Sequence, residues 1–189
     1  MIGQVGTLRL LDLTAAVQNR MLIEWQREEA SGNPYRSPRL TEAGVEAFVA
    51  AMPTTLLGGT ELTLADALAN REYWKRVEHR VSSRGRWIAA SMPRNANDVL
   101  AWTEYLTWYT RAVAGQLHDE GEDDCVVYRA APAWQPRCEC RSLEGLMVKT
   151  IDVYNGHRAR YWPIERPGAF SIPVGVNCHH TITRARRPS

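Results

Sequence analysis

Up to about Gly121 the apolar residues recur at helical spacing. Leu13, Val17, Met21 and Trp25 follow one another at i, i+4 after Asp12, a candidate N-cap, and Gly32 stands where a C-terminal cap would close the segment. Two prolines four residues apart make Asn33 to Pro38 a loop, since each lacks an amide donor and constrains the residue before it. Thr41 and Glu42 open a short second helix expected to end near Met52-Pro53, with Leu56-Leu57-Gly58-Gly59 as a turn. Thr63 and Asp66 resemble a capping arrangement for a third helix, whose stripe of Leu64, Leu68, Tyr73, Trp74, Val77 and Val81 extends to Gly85. Asn95 or Asn97 caps a fourth, in which Val99, Trp102, Leu106, Tyr109 and Val113 share a face.

From Cys125 the pattern changes to short β-type runs broken by proline and glycine: Cys125 to Tyr128, Leu146 to Val148, Ile151 to Tyr154, Phe170 to Ile172 and Thr181 to Thr183. The expectation is an α+β fold. A helical region of about four helices (1–121) precedes a small strand-rich module (122–189) that ends in a basic tail. Trp74, Trp102, Tyr105, Trp108 and Tyr109 are expected in the core, because helical spacing puts most of these rings on the buried face and few charges interleave them.

Composition adds limits. With 44% hydrophobic and 23% charged residues in 189, the chain suits a globular protein with a real core. No apolar run approaches the ~18 residues of a membrane span, and the first residues show no leader pattern, so a cytoplasmic protein that does not engage a membrane is the default expectation. That compartment favours thiols or metal ligands over disulfides for the four cysteines. The net charge of +2 is unevenly spread: from Arg137 onward nine Lys/Arg face four acids, a net +5, leaving −3 before it. A solvated basic face accounts for this, and so does contact with a polyanion through Arg141, Arg158, Arg160, Arg184, Arg186 and Arg187.

The chemistry concentrates in Cys138-Glu139-Cys140 and Cys178-His179-His180, about forty residues apart. Cys138, Cys140, Cys178 and His180, with His179 as the alternative fourth ligand, offer the sulfur and imidazole donors of a tetrahedral zinc ion. A closed four-ligand site is structural and would hold a module too small to be stable on hydrophobic burial alone. The other reading is unligated buried thiols and surface histidines. Hydrolytic signatures are absent: there is no Gly-x-Ser-x-Gly, no His-Glu-x-x-His and no phosphate-binding glycine loop. Cys125 or Cys178 beside a histidine invites a nucleophile reading, but neighbours on a strand point to opposite faces, so Cys178-His179 adjacency makes no dyad.

Cys138-Glu139-Cys140-Arg141-Ser142-Leu143-Glu144-Gly145, then a proline-containing segment, then Val176-Asn177-Cys178-His179-His180-Thr181-Ile182-Thr183, resembles the C-terminal module of MuF-type phage minor head proteins. In that family a cysteine pair precedes a Leu-acidic-Gly step, and the module closes on Asn-Cys-Arg-His or Asn-Cys-Arg-Cys before a short strand. Trp134 also fits, as such modules often carry a tryptophan ahead of the first cysteine. The resemblance covers about a quarter of the chain and implies a virion component near the portal, partnered by portal or capsid proteins and in contact with packaged DNA. Two alternatives stand beside it. One is a zinc-stabilised nucleic-acid-binding protein. The other is a small ADP-ribosyltransferase-like enzyme, because Val126-Val127-Tyr128-Arg129 resembles the strand that carries the cofactor-binding arginine of that family. The plainer reading of Arg129 is a strand-end arginine paired with an acid such as Asp123 or Asp124.

Overall fold

Thr14 starts the first helix, because its hydroxyl accepts the Val17 amide and satisfies one orphan donor of α1 (Ala15–Glu29). Asp12, the expected cap, instead donates its amide to the Tyr109 hydroxyl at 2.9 Å. The computed structural model describes residues 8–82, 85–132, 142–161 (backbone alone for 157–161), 165–173 and 178–185. α2 (Glu42–Leu57) is capped by Thr41 as expected, yet it continues through Pro53 instead of ending there. Met52, Thr55 and Leu56 are buried around that proline, and burying this last turn outweighs the one amide hydrogen bond that a proline removes.

The third helix is shorter than the apolar stripe predicts. α3 (Glu61–Ala67) begins with a reciprocal capping box between Thr60 and Thr63, a single 3-10 turn follows at Arg71–Tyr73, and Val77–Val81 is a strand, β1. Trp74 ends the helical path: its indole donates to the Leu68 carbonyl at 2.8 Å and its backbone bridges to Leu40. Val77 and Val81, four residues apart, satisfy a helical and a strand period equally, which is why the stripe ran on. β1 pairs antiparallel with β2 (Trp87–Ser91) in an isolated two-stranded ribbon.

α4 (Ala96–Asp119) is the hub. Fifteen of its 24 residues are buried, against α1, α3 and the elements that follow. Trp74, Tyr105, Trp108 and Tyr109 are core residues as expected, Trp74 from outside any helix, while Trp102 is only partly buried and packs against the core. Beyond it lie β3 (Asp124–Arg129), β4 (Met147–Lys149), α5 (Thr150–Tyr161) and β5 (His180–Arg184), with sheet order β4-β3-β5 and antiparallel pairing throughout. The fold is α+β. Ile151 to Tyr154, read as a strand, opens α5: Thr150, Val153 and Gly156 are buried while Ile151 and Asp152 face solvent, a helical period. Phe170 to Ile172 forms no strand, although Ser171 and Ile172 are buried. One contiguous core joins Leu8, the helices, Cys125, Val127 and Ile182, so sheet and helices share buried surface. Among the described residues no helix is long and apolar enough to cross a membrane.

Gly44, in the first turn of α2, lies where an added Cβ would stand 2.1 Å from the Tyr73 carbonyl oxygen, and that carbonyl accepts the Thr41 amide. Alanine ordinarily stabilises a helix by up to ~1 kcal/mol relative to glycine. Here the sign reverses. Gly44→Ala is expected to lower stability by about 1–3 kcal/mol through overpacking, seen as a lower urea midpoint with an unchanged slope.

The α1–α4 interface also buries charge. Arg111 Nη1 lies 2.5 Å from Glu28 Oε2, its guanidinium sits 4.8 Å from the Trp108 ring centre, and the Trp108 indole donates to Glu104 at 3.3 Å. Glu28 also accepts the Tyr35 amide, while the Tyr154 hydroxyl of α5 donates to buried Glu24 at 3.0 Å. Burial, reinforced by the nearby Glu28 carboxylate, pushes the Glu104 carboxyl up to about 7, against the opposing pull of Arg111.

Candidate metal centre

Antiparallel register sets Arg129 of β3 opposite His180 of β5. Residues two apart on extended chain share a face, so Cys178 turns to the same side as His180, and its Sγ lies 3.5 Å from His180 Nδ1. The imidazole is fully buried. Its other nitrogen, Nε2, is a buried polar atom without a partner at hydrogen-bond distance; the Glu144 carboxylate stands nearby, with Oε1 at 3.5 Å.

Glu144 is delivered by a tight turn. Gly145 adopts φ +81°, a left-handed conformation that glycine takes without steric cost, its amide bonds the Val127 carbonyl, and the Leu146 amide closes back on Leu143. This is what the Leu-acidic-Gly step does here: it folds the chain onto β3 and presents the acid to its neighbours. Arg129 then grips Glu144 through Nε at 2.7 Å and Nη2 at 2.5 Å. The arginine's partner is therefore Glu144, not Asp123 or Asp124, and Asp124 pairs instead with Lys149 at 2.8 Å.

These contacts set protonation. Arg129 holds the Glu144 carboxyl below the usual range, whereas burial, helped by the Arg129 charge, moves His180 down against the pull of Glu144. His180 is thus neutral at pH 7. A proton on Nε2, facing the carboxylate, leaves the Nδ1 lone pair directed at the thiol.

The separation is that of a thiol–imidazole hydrogen bond, and it also matches two neighbouring ligands of a zinc site. Bonds of about 2.3 Å to sulfur and about 2.0 Å to nitrogen, at a tetrahedral angle, separate two such donors by about 3.5 Å. A carboxylate behind the ligand histidine is the usual orienting partner. Cys138 and Cys140, the other two expected ligands, lie outside the described residues, as do Arg141, Arg186 and Arg187. Among the described residues no group of three or more His, Cys, Asp or Glu side chains is gathered for a metal.

His179 takes the opposite face. Its Nδ1–H donates to the Pro132 carbonyl at 3.2 Å and its ring meets Trp102 edge-on at 4.6 Å. Of the two histidines, His180 is the one that shares a side with Cys178. Cys125 is buried, its thiol pushed up to about 11 by burial, and it is a protonated core residue, not a nucleophile.

No family model, curated protein or solved structure matches the chain. The basic residues are therefore placed by geometry alone. Arg184 spans from β5 to the end of α4, pairing with Glu122 at 3.0 Å and with Glu120. Arg158 and Arg160 belong to α5, with side chains outside the described set. Sequence reasoning missed the role of Glu144, whose signal was the glycine after it, and the Glu28–Arg111–Glu104 cluster, signalled by charges three to four residues either side of Trp108 on an apolar face.

Proposed function

We propose that this chain is a phage virion structural protein, a minor head or head-to-tail component whose C-terminal module is closed by a structural zinc ion on Cys138, Cys140, Cys178 and His180. The observation that supports it most is the 3.5 Å approach of Cys178 Sγ to His180 Nδ1, with Glu144 behind the ring and Arg129 behind Glu144. When bound, zinc would cross-link the Cys138/Cys140 segment to the start of β5. The chain's own residues do the rest: Glu144, 3.5 Å from Nε2, favours the tautomer protonated there, Arg129 keeps Glu144 ionised, and His179 anchors the adjacent backbone through Pro132 and Trp102. Portal or capsid proteins are the proposed partners. Packaged DNA is the proposed contact of Arg141, Arg158, Arg160, Arg186 and Arg187; Arg184 reaches it only by sharing its guanidinium with Glu120 and Glu122.

Protein purified without chelator is expected to carry close to one zinc per chain by plasma mass spectrometry. Cys178→Ser and His180→Ala should each reduce that stoichiometry, while Cys125→Ser leaves it unchanged. Less than about 0.2 zinc per wild-type chain contradicts the structural site, which requires near-stoichiometric metal. For the virion assignment, peptides of the chain should appear at low copy in purified particles of the phage that encodes it. Their absence would reject that assignment whatever the metal content.

A further inference from the structure

The isolated β1–β2 ribbon is exposed on both faces. Register puts Val77, His79, Val81, Trp87, Ala89 and Ser91 on one side and Glu78, Arg80, Ile88 and Ala90 on the other. Trp87 is 75% exposed and its cross-strand partner Val81 52%, an unusual position for the largest apolar side chain. The surrounding charge is one-sided: from Arg71 to Arg94 there are seven Lys/Arg and two acids, a net +5, whereas residues 1–136 as a whole carry a net −3. Of the two acids, Glu78 is buried and neutralised by Arg39 at 2.6 Å and Arg80 at 3.6 Å, so it offers a ligand no free negative charge. At the root of the ribbon an open cleft of about 510 Å³ is lined by Arg71, Lys75 and Arg76 together with Thr41, Glu72 and Trp74. Arg71 and Lys75 each spend one donor on a carbonyl, of Pro93 and Pro38, and keep others for a ligand.

We propose that this cleft and ribbon bind single-stranded nucleic acid, with phosphates along Arg71, Lys75, Arg76, Arg80 and Arg86 and a base stacked on Trp87. The cations select a polyanion, and the exposed indole adds a flat apolar surface that stacks with unpaired bases, whose faces a duplex hides. The site is separate from the zinc module and does not depend on the metal.

The test is fluorescence anisotropy of a labelled 20-nucleotide oligothymidylate with the full chain. Affinity is expected to fall about ten- to a hundredfold between 50 and 200 mM salt, as neutralising three to five phosphates of a single strand requires. Trp87→Ala should weaken binding between about five- and a hundredfold with the salt slope unchanged, and Trp87→Phe should restore most of it. Arg80→Ala with Arg86→Ala should reduce the salt slope by about 1.4. All these side chains are exposed, and circular dichroism verifies folding. The proposal is overturned if no binding occurs at 50 mM salt, or if Trp87→Ala binds like wild type. Equal affinity for the matching duplex, or preference for anionic vesicles over the oligonucleotide, overturns it as well. Because Arg141, Arg158 and Arg160 are intact in every variant, binding lost here cannot be ascribed to the C-terminal module.

Discussion

Arg111→Ala is expected to destabilise the chain by about 3–5 kcal/mol, the range for removing one partner of a buried ion pair. The side chain of Arg111 is 3% exposed and that of Glu28 10%, so neither charge has water to fall back on. Alanine would leave Glu28 facing Glu104 across the α1–α4 interface with the principal cation gone, and would also remove the guanidinium from the Trp108 face. The midpoint of urea unfolding should drop accordingly, with little change in slope because the surface exposed on unfolding is nearly the same. Replacing both partners, Glu28→Leu with Arg111→Met, should recover much of the loss, since an apolar pair of similar volume carries no desolvation cost. If Arg111→Ala costs less than about 1 kcal/mol, the value typical of exposed pairs, the cluster is hydrated and the reading of this interface is wrong.

The same cluster shows where sequence pattern stops being informative. α4 was legible because Leu106, Tyr109 and Val113 repeat at helical spacing, but its buried charges interrupt the stripe they belong to, and only the facing residues of α1 and the Tyr35 loop make sense of them. Strands β3 and β5 were legible from their β-branched runs and β4 from its apolar one, whereas Ile151-Asp152-Val153-Tyr154, equally rich in β-branched residues, is helix, its one buried apolar position falling at helical spacing with buried Thr150 and Gly156 instead of alternating. Local propensity is weaker than packing over so few residues. The ribbon was illegible for a related reason: with almost nothing buried on either face, Val77–Val81 and Trp87–Ser91 carry no alternation of buried and exposed positions to read. At the candidate metal centre Cys178 and His180 could be proposed as ligands from their chemistry. Choosing His180 over His179, and finding Glu144 and Arg129 behind it, required the register of β3 against β5.

Glu104→Gln should make the protein more stable at pH 8 by roughly 3 kcal/mol and change it little at pH 5. The folded-state carboxyl titrates at about 7, against 4.5 for an unperturbed glutamate. Between those values the unfolded chain has released this proton while the folded chain still holds it, so the unfolded state binds fewer protons and stability falls as pH rises. The loss is complete once pH exceeds the folded value. Glutamine keeps an oxygen for the Trp108 indole and never ionises, so the variant escapes this loss. His179 and His180 act in the opposite direction: burial lowers both, so their contribution to stability is lost as pH falls through 6.5 toward their folded values. The wild-type profile therefore mixes two signs, and the informative quantity is the difference between variant and wild type in chemical denaturation from pH 5 to 8.5, where the histidine terms cancel. That difference should grow between about pH 5 and 7 and then level off. A constant offset would mean that Glu104 titrates alike in the folded and unfolded chain, and would remove the case for a dry interface between α1 and α4.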